Sequence, residues 1–173
     1  MALTIIETPG AANANSFVSA ARMTAYCEGR LNATIWTGAV AQLPALVEAT
    51  RDLSSGIDDW LGVRTSATQA LSWPRTGCPD PNDPNGGDFA TDEIPTAIED
   101  ATCELALQYL KGGSADLAMP HQDDGVKVKT LDVMTTEYFE GAKPTVGLAR
   151  FPRVLDLIRP WRDVSAWLRV IRC

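Results

Sequence analysis

Apolar residues recur at helical spacing along most of the chain as far as Gly112, and alternate with polar ones only beyond it. From Phe17 to about Arg30, two overlapping sets (Phe17, Ala20, Ala21, Thr24 and Cys27, or Val18, Ala21 and Ala25) would each share one helical face. Asn15 or Ser16 can cap this helix, and Gly29 and Asn32 mark its end. Trp36 then falls in a connector, "NATIWTGAVAQ". A second helix is predicted from near Pro44, whose fixed φ suits a first turn. Its stripe is Leu43, Leu46, Val47, Thr50, Leu53 and Ile57, and Gly56 loosens its end. Trp60 and Leu61 follow as candidates for core or interface.

A third helix starts at Pro95. Asp92 and Glu93 favour its positive end, Ile98, Ala101, Thr102, Leu105 and Tyr109 make one apolar line, and Gly112 and Gly113 stop it. Further on, "VKVKTLDVMTTEYF" alternates and is rich in β-branched residues, with Val126, Val128 and Thr130 on one side and Lys127, Lys129 and Leu131 on the other. It reads as an irregular strand pair or one long strand over about residues 126–139. "FPRVLDLIRPW" is a short helix opened by Pro152 and ended before Pro160, and "SAWLRVIRC" is a final strand or helical turn. The fold expected is mainly α: a small bundle of about four helices with a short β element and an extended C-terminal arm. Residues 1–150 would form the body, and residues 151–173 a helix and docking arm.

Composition narrows this picture. An apolar fraction of 45% and a charged fraction of 21% are ordinary for one globular domain. No apolar run approaches the ~20 residues of a membrane helix, and "MALTIIETPGAANANS" lacks the basic and apolar regions of a signal peptide. A soluble protein made in a cytoplasm is expected, with no membrane partner. The net charge of −7 hides an asymmetry: residues 143–173 hold seven basic and two acidic side chains, leaving eight basic and twenty acidic ones in residues 1–142. An acidic body repels nucleic acid, and a basic tail attracts acidic partners.

Candidate chemistry is sparse. The single histidine, His121, sits in "MPHQDDG" and reads as a surface loop residue. Asp58/Asp59 and Glu99/Asp100 are neighbours on helix-like stretches, so their side chains diverge and neither pair is a ready acid–base dyad. The loop holding Asp80, Asn82, Asp83, Asn85 and Asp88 is rich in oxygen donors, but Pro81 and Pro84 break the spacing of a calcium loop. Cys27, Cys78, Cys103 and Cys173 have no metal-ligand spacing. Cys27 and Cys103 are expected in the core, and Cys173 as an incidental exposed thiol. No catalytic residue, metal or cofactor is expected. Trp161 and Trp167 alternate with Arg159, Arg162 and Arg169, a pattern that can stack single-stranded bases but equally anchors protein partners. The acidic body favours the protein interface.

Three motifs in order then carry a resemblance. They are "NSFVSAARMTAYCEGR", with Ser16, Phe17, Ala20, Ala21 and Tyr26; Gln69, Ala70, Leu71, Trp73, Pro74 and Arg75 in "QALSWPRTG"; and Glu93, Ile94, Pro95, Ala101 and Glu104 in "DEIPTAIEDATCELALQYL". With Trp36, Val126–Val133 and "FPRVLDLIRPW", the chain from about Asn13 to Trp161 resembles the head–tail connector (adaptor) proteins of tailed bacteriophages. Many of these carry the label DnaT-like single-stranded-DNA-binding protein. The Asp80–Asp88 insert and the arginine-rich end past Trp161 depart from the family's pattern.

The resemblance implies a structural virion protein, assembled in the host cytoplasm as a ring, usually dodecameric, between the portal protein and a tail-completion protein. Genome DNA would pass through its channel without specific binding. Docking to the portal or to neighbouring subunits would fall to Arg159, Trp161, Arg162, Trp167, Arg169 and Arg172, and truncation before Phe151 would leave the body folded. Taken literally, the label implies instead a single-stranded-DNA-binding replication accessory protein. In either case Trp73, Pro74 and Arg75 read as a structural corner. Pro74 holds Ser72–Trp73 extended, Trp73 plugs the bundle, and Arg75 reaches toward Glu99, Asp100 or Glu104.

Overall fold

A computed structural model describes residues 3–31, 33–112, 128–131, 134–137 and 147–163. Helix α1, Ala20–Glu28, begins later than its apolar spacing predicts because Ser19, not Asn15 or Ser16, caps it by accepting the Arg22 amide. Asn15 instead accepts the Ile6 amide and donates to the Thr4 carbonyl, tying down the N-terminal segment. The Ser16 hydroxyl turns back on the Val18 backbone. Phe17 and Val18 therefore enter the core from a bend ahead of the helix, joined by Met23 and Cys27 from the helix, while Ala21 and Ala25 face solvent.

The connector around Trp36 is helical: α2 spans Ala33–Thr37. Its indole is buried and donates to Thr24 Oγ1 at 3.0 Å, and its carbonyl accepts from Gln42 at the start of α3. Helix α3, Gln42–Ser55, buries Leu46, Thr50 and Leu53 of the expected stripe, with Ala45 and Ala49 beside them. Its partner α4, Thr96–Gly112, follows Pro95 as expected, and Ile98, Ala101, Thr102, Leu105 and Tyr109 are all buried. Two short strands before α4, β1 (Val63–Arg64) and β2 (Arg75–Thr76), pair antiparallel and had no counterpart in the hydrophobic pattern. Two residues are too few to establish an alternation.

Beyond α4 the strand-like stretch is a pair: β3 (Val128–Leu131) and β4 (Met134–Glu137) run antiparallel, Val128 opposite Glu137 and Leu131 opposite Met134. Helix α5, Pro152–Ile158, passes into a 3-10 turn over Arg159–Trp161 and packs along α4. The fold is thus mainly helical with small β elements, and α2 is the one described helix beyond the four expected.

Of the arm expected over residues 151–173, residues 164–173 lie outside the described residues. Residues 151–163 are not an appendage. Val154, Ile158 and Trp161 are each within 1% of complete burial and belong to the same core as α3 and α4. No break in packing falls at residue 150. Truncation before Phe151 would strip the core rather than spare it. Each large-to-small loss in a packed core costs about 2–5 kcal/mol, and three such side chains go at once from a domain whose whole stability is on the order of 5–15 kcal/mol.

Two outcomes follow for the core. A chain ended at Arg150 loses the near-ultraviolet circular dichroism of the full chain and its cooperative thermal transition; retention of both by the shortened chain would contradict this packing. The described cysteines should also be inert. Burial raises the Cys27 and Cys78 thiols above their ordinary range and pushes Cys103 up to about 12. Near pH 8 these groups stay protonated and covered, so iodoacetamide should modify at most one of the four thiols in the native chain and all four after denaturation. Mass spectrometry counts the adducts.

Candidate functional site

The Trp73 corner assembles from the backbone outward. The Trp73–Pro74 peptide is cis. Gln69, itself buried, spans the bend by donating to the Leu71 and Pro74 carbonyls at 2.9 and 3.0 Å while accepting the Ser66 amide. Arg75 does not reach a carboxylate of α4. Its guanidinium lies under the corner and donates to the carbonyls of Leu61 and Gly62, each at 2.6 Å, and of Ser72 at 3.2 Å. Those carbonyls are closer than α4, and an otherwise unpartnered buried carbonyl is costly. Burial pulls the pKa of Arg75 down from the usual arginine value. Gly62 has φ +66°, and a Cβ there would press on the Thr76 carbonyl and lie 2.7 Å from the Cys78 sulfur, so glycine is required.

Trp73 does plug the bundle, being 1% exposed. It stands edge-on to Trp60 at 5.8 Å and to Trp161 at 5.5 Å, and Trp161 stands edge-on to Phe89 at 5.2 Å. None of the three indole N–H groups has a conventional acceptor among the described residues. Edge-to-face packing is the arrangement in which a ring edge, N–H included, meets a π face.

This cluster corrects two of the docking residues. Trp161 is 1% exposed, and Arg162 makes a two-pronged pair with Asp59 at 2.9 and 2.8 Å, with both side chains largely covered. The backbone joins in, Leu61 donating to the Trp161 carbonyl and Asp163 to that of Asp59. Neither side chain can stack on a base or insert into a partner without opening the core. Arg159 is exposed. Trp167, Arg169 and Arg172 lie outside the described residues, as do His121 and Cys173.

Three of the four neighbouring carboxylates are spent on ion pairs. Arg22 holds Glu99 at 3.1 Å and Asp100 at 2.6 Å, and Asp59 holds Arg162. Burial raises the Glu99 carboxyl above its ordinary value, against the opposing pull of Arg22. Glu104, expected only as a motif residue and a possible partner of Arg75, has other partners. Glu104 Oε1 accepts from Arg30, from Arg153 Nε at 2.7 Å and from the Tyr26 hydroxyl at 3.1 Å, joining α1, α4 and α5. The Arg30 guanidinium also lies 4.1 Å from the Tyr26 ring centroid. Arg22 on α1 and Arg30 two residues past its end thus meet Glu99, Asp100 and Glu104 of α4 with opposite charge.

The Asp-Pro-Asn loop satisfies itself. Asp83 accepts the amides of Asn85 and Gly87 at 2.8 and 2.9 Å, which holds its carboxyl below the usual range, and Asp80 accepts the Asn82 amide. These oxygens serve the loop's own backbone. Among the described residues no group of three or more His, Cys, Asp or Glu side chains is placed to hold a metal ion, and no helix is long and apolar enough to cross a membrane.

Among the described residues, two surface grooves take part of their lining from the N-terminal segment. One, of about 340 Å³, is lined by Arg51, Arg64, Ser54, Ser55 and Leu71 among others, and by no carboxylate. The other, of about 500 Å³, sets Glu7, Asp92, Glu93 and Glu99 around Pro9, Phe17 and Ile94, with Arg22 at its edge. Neither resembles an active site, because no nucleophile is paired with a base in either.

No curated protein and no solved structure matches the chain. A family profile does match, and it spans residues 1–173. Because that profile covers the chain throughout, the chain belongs to the family described as "Putative DnaT-like ssDNA binding protein".

Proposed function

We propose that the chain is a non-enzymatic structural adaptor of the head–tail connector type. It would assemble as a ring between a portal protein and a tail-completion protein, with genome DNA passing through without specific binding. The observation that carries this reading is the position of Trp161 and Arg162. The aromatic and the cation that a single-strand platform would need are built into the core beside Trp73. The residues of the resembling motif, Gln69, Trp73, Pro74 and Arg75, are engaged within the corner itself. An excess of carboxylates over residues 1–142 also suits a channel wall that must not hold phosphates.

Single-stranded-DNA binding, the activity named in the family's description, is the second reading. It draws on one specific feature, the carboxylate-free groove holding Arg51 and Arg64, where two guanidinium groups could meet phosphates.

The two readings part in one experiment. Labelled dT30 is titrated with the full chain at about 50 and 200 mM salt, and the chain is separately sedimented with the portal ring of the phage that encodes it. The adaptor reading expects no salt-dependent anisotropy change, no quenching of tryptophan fluorescence, and co-sedimentation with the portal. Micromolar dT30 binding whose logarithm falls steeply with log salt, together with no portal binding, would reverse the assignment.

A further inference from the structure

The two grooves carry opposite charge on one chain and share no lining residue. In the first, Arg64 is exposed on β1 next to Val63, an aliphatic side chain left 64% exposed, and Arg64 meets no carboxylate among the described residues. Arg51 is 66% exposed and touches only Glu48, at 3.8 Å, in a surface pair one turn apart on α3. Such a pair is readily exchanged for a better-placed carboxylate. Leu71 and Val47 supply apolar wall between the two arginines. Arginine and aliphatic groups without acids are the composition of an interface centre, and they stand here on a body with twelve more acidic than basic side chains over residues 1–142.

The second groove is its counterpart. Asp92 and Glu93 are exposed on its rim, immediately before α4, and Glu7 is exposed opposite them. Glu99, deeper in, is already engaged by Arg22, so the rim carboxylates are the ones open to a partner. Ile94 and Pro9 give this groove an apolar wall of its own.

We infer that copies of this chain associate head to tail, with the Arg51–Arg64 groove of one copy taking the Asp92–Glu93 rim of the next. Charge carries the contact. A guanidinium fork matches a carboxylate in two bonds, and complementary fields steer the approach. Because the two surfaces are separate, both can be occupied at once, the condition for a heterologous contact that continues from copy to copy. The inference deepens the adaptor reading by naming the contact between copies, and rests on that reading only for closure into a ring.

Sedimentation velocity on the full chain tests it. The variants are Arg51→Ala/Arg64→Ala and Asp92→Ala/Glu93→Ala. All four side chains are exposed, so each variant keeps the wild-type near-ultraviolet spectrum. In about 50 mM salt the wild type should form dimers and larger species that fall to monomer as salt screens the contact. Each variant alone should be monomeric, with self-association weakened at least tenfold. Mixed in equal amounts, the two variants should form a heterodimer that grows no further, since the pair retains one intact groove and one intact rim.

A wild type that stays monomeric at about 200 μM in low salt, a variant that associates like the wild type, or a mixture that fails to pair would each overturn the inference. So would dT30 binding by monomeric protein that Arg51→Ala/Arg64→Ala abolishes, which would give the groove to phosphate. Loss of portal binding with the heterodimer intact would remove the adaptor reading and leave this inference standing.

Discussion

Trp73 is held between the edges and faces of two other indoles, and the rest of the molecule is arranged around that contact. Trp60 arrives from the segment after α3, Trp161 from the turn after α5, and Phe89 from the far end of the Asp-Pro-Asn loop. Segments separated by as many as a hundred residues are thereby fixed to one point. Aromatic pairs of this geometry contribute about 0.5–1.5 kcal/mol each beyond the area they bury. Their larger effect is geometric, because moving any one ring opens a cavity for the others. Arg75 and Gln69 hold the backbone in the shape that presents Trp73, and the Arg162–Asp59 pair closes the cluster on its outer side.

Electrostatics reinforces the same arrangement. Glu104 is nearly covered, and a buried carboxylate is tolerated only when paired and hydrogen-bonded. Arg30, Tyr26 and Arg153 supply that, so α5 is bound to α4 by an ion pair as well as by Val154 and Ile158. Arg22 similarly ties α1 to Glu99 and Asp100. The inner arginines are consumed in this way. The arginines of the groove beside the N-terminal segment stay at the surface, and a uniform excess of negative charge becomes a body with two unlike faces.

Much of this was legible from residue order. The α4 stripe, the proline starts of α4 and α5, the glycine end of α3 and the strand pair near residue 130 follow from periodicity and backbone chemistry that act locally. The resemblance carried by Gln69–Arg75 led to the right corner and to Trp73 as its plug. The errors have separate causes. Whether Trp161 and Arg162 face a partner or the core depends on Trp73 and Asp59, residues far away in sequence, and composition alone cannot tell an interface tryptophan from a buried one. Arg75 was sent to a carboxylate because charge suggested it, whereas nearer backbone carbonyls claimed it. Asn15 was read as a cap and became a tie for the N-terminal segment, since both uses ask for the same short amide.

The account therefore rests on residues 151–163 being one cooperative unit with the helical body. Amide hydrogen exchange measures this directly at two positions, Leu61, which donates to the Trp161 carbonyl at 2.9 Å, and Asp163, which donates to that of Asp59 at 2.7 Å. Both amides should exchange only through global unfolding, with the same opening free energy as Leu105 in the middle of α4. Exchange at Leu61 and Asp163 faster than at Leu105 by about a hundredfold or more, a difference of roughly 2.7 kcal/mol, would mean that the C-terminal segment opens independently, and the Trp73 cluster would no longer be the centre of the fold.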